Sequence, residues 1–144
     1  MLDLDRQICF PLYAATRAVT RRYAEVLADV GLTYPQYLVM LALWTDGPLS
    51  VGDLGRRLRL DSGTLTPLLK RLEAAGRVER RRDAHDERRV VVSSTPQGER
   101  LRDEVAGVPR EVARSIGLRT EEFVQLHHLL SGVIENLDAS GSQP

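Results

Sequence analysis

Apolar residues recur every three or four positions along most of the chain and run together in one short basic stretch. Leu12, Thr16, Val19, Tyr23, Val26, Leu27 and Val30 form one stripe. They predict a first helix that starts at Cys9 and Phe10, carries Pro11 in its first turn and runs to about Asp29, with Gly31 as its stop. Thr33 caps a second helix, with Pro35 early in it, through Leu38, Leu41 and Trp44 to Gly47-Pro48. Ser50 and Asp53 have capping-box spacing and open a short third helix that turns Val51, Leu54 and Leu58 inward. Asp61-Ser62 caps a fourth helix to Ala75, and Gly76 ends it. Arg77 to Arg82 and Arg88 to Ser94 read as two strands joined by the polar turn Asp83 to Glu87. Thr95-Pro96 starts a fifth helix that Gly107-Val108-Pro109 and Gly117 break or bend. Thr120 caps the last helix, whose Phe123, Leu126, Leu130, Val133, Ile134 and Leu137 approach heptad spacing. Residues 139–144 form a polar tail expected to be disordered.

Two short adjacent helices followed by a hairpin are the order of a winged helix-turn-helix. The expected fold is therefore mainly α with a small β-hairpin wing, in a single domain over residues 1–144. The DNA-reading part covers about 48–95, and helices in 4–30 and 96–138 serve dimerisation. On the fourth helix Leu65, Leu68, Leu69 and Leu72 share the inner face. Ser62, Gly63, Thr64, Pro67, Lys70 and Arg71 are then left on the outer one, behind the Asp61 cap. Small residues at a helix start admit it to base edges, and cations at its end meet phosphates. Arg82, Asp86, Arg88 and Arg89 mark the wing, where arginine can read a minor groove and Asp86 can orient Arg88.

Composition adjusts this picture in a few places. The chain has 144 residues, 42% apolar and 28% charged, which suits one globular core. No run approaches the roughly 20 apolar residues of a membrane span. The start Met1-Leu-Asp-Leu-Asp-Arg does not read as a secretory signal, so a cytoplasmic protein is expected. The net charge is zero, but Gly52 to Arg102 holds 13 basic and 8 acidic residues, and the remainder holds 7 and 12. The middle can face a polyanion. His85, His127 and His128 converge with no carboxylates, so no metal is expected. His127 reads as a packed core residue. No phosphate loop or catalytic triad appears, and neither a cofactor nor an enzyme activity is expected.

Cys9 is the one cysteine, so it can form no internal disulfide. All four tyrosines, Tyr13, Tyr23, Tyr34 and Tyr37, lie within the 28 residues that follow it. Tyr13 is one helical turn away, whereas Tyr23 is 14 residues on, about 21 Å along a helix. On one straight helix Tyr23 cannot touch its own Cys9, whereas two antiparallel first helices in a dimer could bring Tyr23 of one chain to Cys9 of the other. Helix N-termini favour thiolate, the form that attacks peroxide. On the residues by themselves, an inert Cys beside core tyrosines and a redox sensor both remain open.

The segment from Tyr34-Pro-Gln-Tyr-Leu through Leu60-Asp-Ser-Gly-Thr-Leu-Thr-Pro-Leu-Leu-Lys-Arg71, with the wing Asp86-Glu-Arg-Arg89, resembles the MarR family of bacterial repressors. Cys9 with Tyr13, Tyr23 and Tyr34 resembles, more narrowly, its organic hydroperoxide resistance regulators. The resemblance covers Cys9 to Leu137. It implies that Cys9 is the peroxide sensor, that Tyr23 and Tyr34 bond it from the partner subunit and that Tyr13 lies nearby. It also implies that the fourth helix reads the major groove and Arg88 the minor groove. There is no second cysteine, so the chain resembles the single-cysteine type, in which sulfenic acid reacts with a low-molecular-weight thiol or a backbone nitrogen, or oxidises further. The implied partners are palindromic double-stranded operator DNA, a second copy and an organic hydroperoxide, with no membrane. Alternatives are a repressor released by a small aromatic ligand, a Cys9-dependent thiol peroxidase and a pure dimerisation scaffold.

Overall fold

The computed structural model describes residues 3–141, the Asp5 side chain aside. Seven α-helices and a three-stranded sheet follow in the order α1 (Cys9–Val26), α2 (Tyr34–Asp46), β1 (Leu49–Ser50), α3 (Val51–Leu58), α4 (Ser62–Ala74), β2 (Val78–Arg82), β3 (Val90–Ser94), α5 (Pro96–Glu104), α6 (Val108–Ile116) and α7 (Thr120–Gly141). The mainly helical winged architecture expected from the sequence is the one found.

The core is organised around α2. The Thr33 hydroxyl accepts the Gln36 N–H and the Gln36 side chain accepts the Thr33 N–H, a complete capping box, with Pro35 in the first turn. From there Tyr37, Val39, Met40, Ala42 and Leu43 are all buried. These residues face more than one side of the helix, and α1, α3, α4, α5 and β3 all pack on it. Leu27, Leu54, Leu65, Leu69, Leu72, Val78 and Val92 complete the centre. Each such side chain contributes roughly 1.5–3 kcal/mol on burial.

Several local expectations are corrected. The first helix stops at Val26, and a separate 3-10 turn covers Ala28–Val30. Leu27 leaves the helix to enter the core, and Gly31 then reverses the chain at φ 64°. The hairpin is a three-stranded antiparallel sheet in the order β1-β3-β2, with Leu49 opposite Val92 and Ser50 opposite Val91. Arg88 and Arg89 lie in the wing loop, because the β2–β3 ladder ends at the pair Arg82 and Val90. Ser50 does cap α3, but its hydroxyl donates to Asp53 where a full capping box would have the carboxylate accept the Ser50 N–H. Thr120 is the first residue of α7 and not its cap. Glu122 accepts the Arg119 N–H, and Phe123 N–H donates to the Arg119 carbonyl. The expected disordered tail is helical through Gly141, with the Ser140 hydroxyl donating to the Asn136 carbonyl. Residues 142–144 of that tail lie outside the described residues. His127 is exposed on α7 and stacked on Phe123, its apolar neighbours being exposed as well.

The terminal helices differ from the centre. Neither α1 nor α7 buries a residue completely. α7 leaves Phe123, Val124, Leu126, Leu129, Val133, Ile134 and Leu137 exposed. An ion pair between Arg59 and Asp138 ties its far end to the α3–α4 loop. Among the described residues, no helix is long and apolar enough to cross a membrane.

α5 docks through a close backbone approach. The Thr95 hydroxyl accepts the Gly98 N–H and donates to the Gly76 carbonyl, while the Trp44 indole N–H donates to the Gly98 carbonyl. A Cβ on Gly98 would lie 2.2 Å from the Arg77 carbonyl oxygen. Gly98→Ala is therefore expected to cost about 2 kcal/mol or more, read as a lowered unfolding midpoint at fixed protomer concentration. The α4 cap gives a second expectation. Asp61 accepts the Thr64 N–H at 2.8 Å and the Thr64 hydroxyl at 3.2 Å. The Thr64 N–H, then its hydroxyl, hold the Asp61 carboxyl below the ordinary aspartate range. Stability from a depressed carboxyl is complete above the unfolded-chain value and is lost as pH falls through the folded one. Asp61→Ala is expected to unfold earlier than the parent at neutral pH, with a gap that narrows below the ordinary aspartate range. Parallel urea titrations across pH measure this, and a constant gap would contradict it.

Candidate nucleic-acid interface and sensor region

The α4 helix divides cleanly. Leu65, Leu68, Leu69 and Leu72 are buried, and Ser62, Gly63, Thr64, Pro67, Lys70 and Arg71 are exposed. Asp61 is occupied as the cap. Gly63 is small where a Cβ would press to 3.1 Å on the Asp61 carboxylate. Pro67 sits inside the helix and has no N–H to donate to the Gly63 carbonyl. The resulting surface is small and polar at its start and cationic at its end.

The wing is fixed to this helix by charge. Arg80 on β2 donates through Nε and Nη2 to Glu73 Oε2 at 3.1 and 2.7 Å, and its backbone N–H donates to Oε1. These Arg80 bonds hold the Glu73 carboxyl below its usual range. Within the loop, the Asp83 N–H donates to the Arg89 carbonyl and the Arg89 N–H to the Asp86 carbonyl. Arg82 donates to the Glu87 carbonyl. Arg88 pairs with Asp86 at 3.2 Å, as the spacing suggested, and its side chain is 92% exposed. Arg89 turns back to the body and pairs with Asp53 at 3.1 Å. The structure thus separates two arginines that the sequence grouped together.

At the other end of the molecule, Cys9 is exposed at the first position of α1, and no side chain caps that terminus. Tyr13, one turn on, is also exposed. Its hydroxyl accepts from Arg17, whose guanidinium lies 5.6 Å from the ring centre. Tyr23 and Tyr34 stack with ring centres 4.1 Å apart, and Tyr37 closes the group 5.7 Å from Tyr23. Burial pushes the Tyr23 and Tyr34 phenols up, with a further contribution from Tyr34 on Tyr23, and that of Tyr37 rises to about 12. All three are neutral O–H donors at ordinary pH. Among the described residues, neither the Tyr23 nor the Tyr34 hydroxyl has a hydrogen-bond partner. Tyr23, in the last turn of α1, and Tyr34, the first residue of α2, are brought together, and Cys9 stands at the opposite end of α1 from Tyr23. Beside them Leu12, Thr16, Val19, Tyr34, Phe123, Leu126, His127 and Leu130 line an apolar cleft of about 420 Å³.

Sequence reading missed three parts of this arrangement. Tyr37 anchors the aromatic group from the core; its place on the inner face of α2 was the available signal. Glu73 and Arg80 carried no signal beyond their charges. The Asp53 link to the wing joins residues 36 apart in sequence. Among the described residues, no group of three or more His, Cys, Asp or Glu gathers to hold a metal.

Comparison with known proteins agrees with this geometry. The MarR family model matches residues 32–90, which span α2 to the start of β3. The transcriptional regulator TtmR of Methylorubrum extorquens is 48% identical over 95% of this chain and 70% of its own length. The organic hydroperoxide resistance transcriptional regulator of Bacillus subtilis is 40% identical over 94% of this chain and 92% of its own. Among solved structures, reduced AbfR bound to DNA superposes with a TM-score of 0.78 at 36% identity, covering 93% of this chain and 94% of that one. A helix-turn-helix with a wing, in a chain this similar to such regulators along nearly its whole length, belongs to the MarR family of DNA-binding transcriptional regulators.

Proposed function

We propose that the protein is a homodimeric repressor that binds a palindromic operator and releases it when an organic hydroperoxide oxidises Cys9. The observation that carries this reading is the Tyr23–Tyr34 pair, two stacked neutral phenols, one at the end of α1 and one at the start of α2, whose hydroxyls have no hydrogen-bond partner among the described residues. In one chain Tyr23 lies 14 residues, about 21 Å of helix, from Cys9. In an antiparallel α1 pair the two phenols meet the Cys9 of the second copy and donate to its sulfur. The unburied apolar faces of α1 and α7 support that pairing, since a protomer rarely leaves so much hydrocarbon in water. The similarity to the Bacillus subtilis regulator and to reduced AbfR on DNA supports the redox assignment.

The chemistry needs only the named groups. The Cys9 thiolate attacks the terminal peroxide oxygen and the O–O bond breaks. The alkoxide takes a proton and leaves as an alcohol, and the sulfur, oxidised by two electrons, becomes sulfenic acid. A small thiol then condenses with it, releasing water and forming a mixed disulfide. The added atoms crowd the phenols, the terminal helices shift and the α4 helices lose their spacing of about one DNA turn. A differential stability of roughly 3 kcal/mol lowers affinity about a hundredfold. The apolar cleft beside Tyr34 suits a greasy hydroperoxide.

The same cleft favours a second reading, in which a small aromatic acid beside Tyr34 and His127 releases DNA and Cys9 is incidental. One experiment separates the two. A duplex selected from a random pool by the full chain is titrated with cumene hydroperoxide and, separately, with salicylate. The proposal predicts release by the hydroperoxide and retention of DNA by Cys9→Ser under the same dose. Release of that variant by peroxide contradicts the sensor assignment, and release of both proteins by salicylate alone supports the second reading. Arg88→Ala is expected to weaken binding about tenfold without slowing Cys9 oxidation. Unchanged affinity at matched salt removes the wing from the interface.

A further inference from the structure

β1 is two residues long and pairs with β3 only at Val92 and Val91. Beyond Val91 the wing is a bare hairpin, and two strands by themselves hold no fixed orientation in water. Among the described residues, the one side-chain bond that joins the wing beyond this point to the body is Arg89 to Asp53. Asp53 is well placed for it. It lies in the first turn of α3, where the helix dipole favours an anion. Its Oδ2 accepts the Ser50 hydroxyl at 2.6 Å and Arg89 at 3.1 Å, and its Oδ1 accepts Arg56. The Ser50 bond, then Arg56 and Arg89, keep its carboxyl below the ordinary range. Arg89 is itself fixed, since its N–H and carbonyl both close the wing loop.

We infer that Asp53 is a positioning residue for DNA binding: through Arg89 it sets the tilt of the wing against the recognition helix, so that Arg88 reaches the duplex. The inference rests on the wing's DNA-reading role proposed above. It gives a result of unusual sign. An acid beside a DNA-binding cleft that also holds Arg56, Arg80 and Arg88 repels phosphate, so simple electrostatics makes its removal strengthen binding. A positioning role makes its removal weaken binding.

The test measures affinity of the full chain for the selected duplex by fluorescence anisotropy over a salt series, for Asp53→Asn, Arg89→Gln, the double variant and Asp53→Glu. Asp53→Asn is expected to bind about fivefold more weakly, the scale of one partly exposed ionic network. Its salt slope is expected to become shallower by about one counterion as the wing contact is lost. The double variant is expected to bind no more weakly than Arg89→Gln, and Asp53→Glu to recover most of the affinity. Asp53→Ser provides the same reading if the Asn variant does not fold. Equal or tighter binding by the charge-removed variant, or losses that multiply in the double variant, overturns the inference. If Arg88→Ala also binds normally, the wing's role falls with it; if Arg88→Ala binds weakly while Asp53→Asn does not, only the positioning role falls.

Discussion

A continuous helix cannot bring its own ends together. α1 has 18 residues and spans about 27 Å, with Cys9 at its first position and Tyr23 in its last turns. That separation governs how the rest is read. It leaves the cysteine open to solvent and the two phenols without a partner within the protomer. In the proposed function, one chain holds the sensor site in two halves. The exposed apolar residues of α1 and α7 are the surfaces that a second chain would cover. In the proposed reading, dimerisation and sensing are therefore one event.

The winged helix-turn-helix follows a different rule. Its leucine core is well buried, but the sheet has one strand of only two residues. Position is maintained by directed polar contacts at the edges of a leucine core. Asp61 closes the start of α4, Glu73 clasps Arg80 on β2, and Asp53 reaches Arg89 at the root of the wing. Each pair lies near the surface and contributes modestly by itself. Together they set angles between elements that burial leaves free. In the proposed dimer, a shift of the terminal helices would re-space two preformed reading units without unfolding either. Arg77 fits the same pattern, since its Nη2 donates to the Val30 carbonyl and joins the α4–β2 junction to the turn after α1.

The helices were legible because their periods and caps agree. Leu65, Leu68, Leu69 and Leu72 share one buried face, Thr33 and Asp61 cap as their positions indicate, and the Gly31 and Gly76 stops both have positive φ. The exposed polar and cationic face of α4 could be read for the same reason. What the sequence hid was tertiary. Leu49-Ser50 is too short to show alternation and becomes a strand only because β3 lies beside it. The end of α1 at Val26 is set by the core's demand for Leu27, and propensity does not report that demand. Thr120 has the chemistry of a cap, but Glu122 supplies the bond one residue earlier. Cys9 and the tyrosines were legible only as a pattern of residue types, since the proposed site depends on a second chain.

The central claim is that Cys9 of one protomer lies against Tyr23 of the other. Tyr23→Cys tests it directly. On mild oxidation of the full chain, the account predicts a covalent dimer on a non-reducing gel. Peptide mapping is expected to join Cys9 to the residue introduced at position 23, and Cys9→Ser in the same chain is expected to abolish the band. A chain that stays monomeric on the gel, or that links only Cys9 to Cys9, would contradict the shared site.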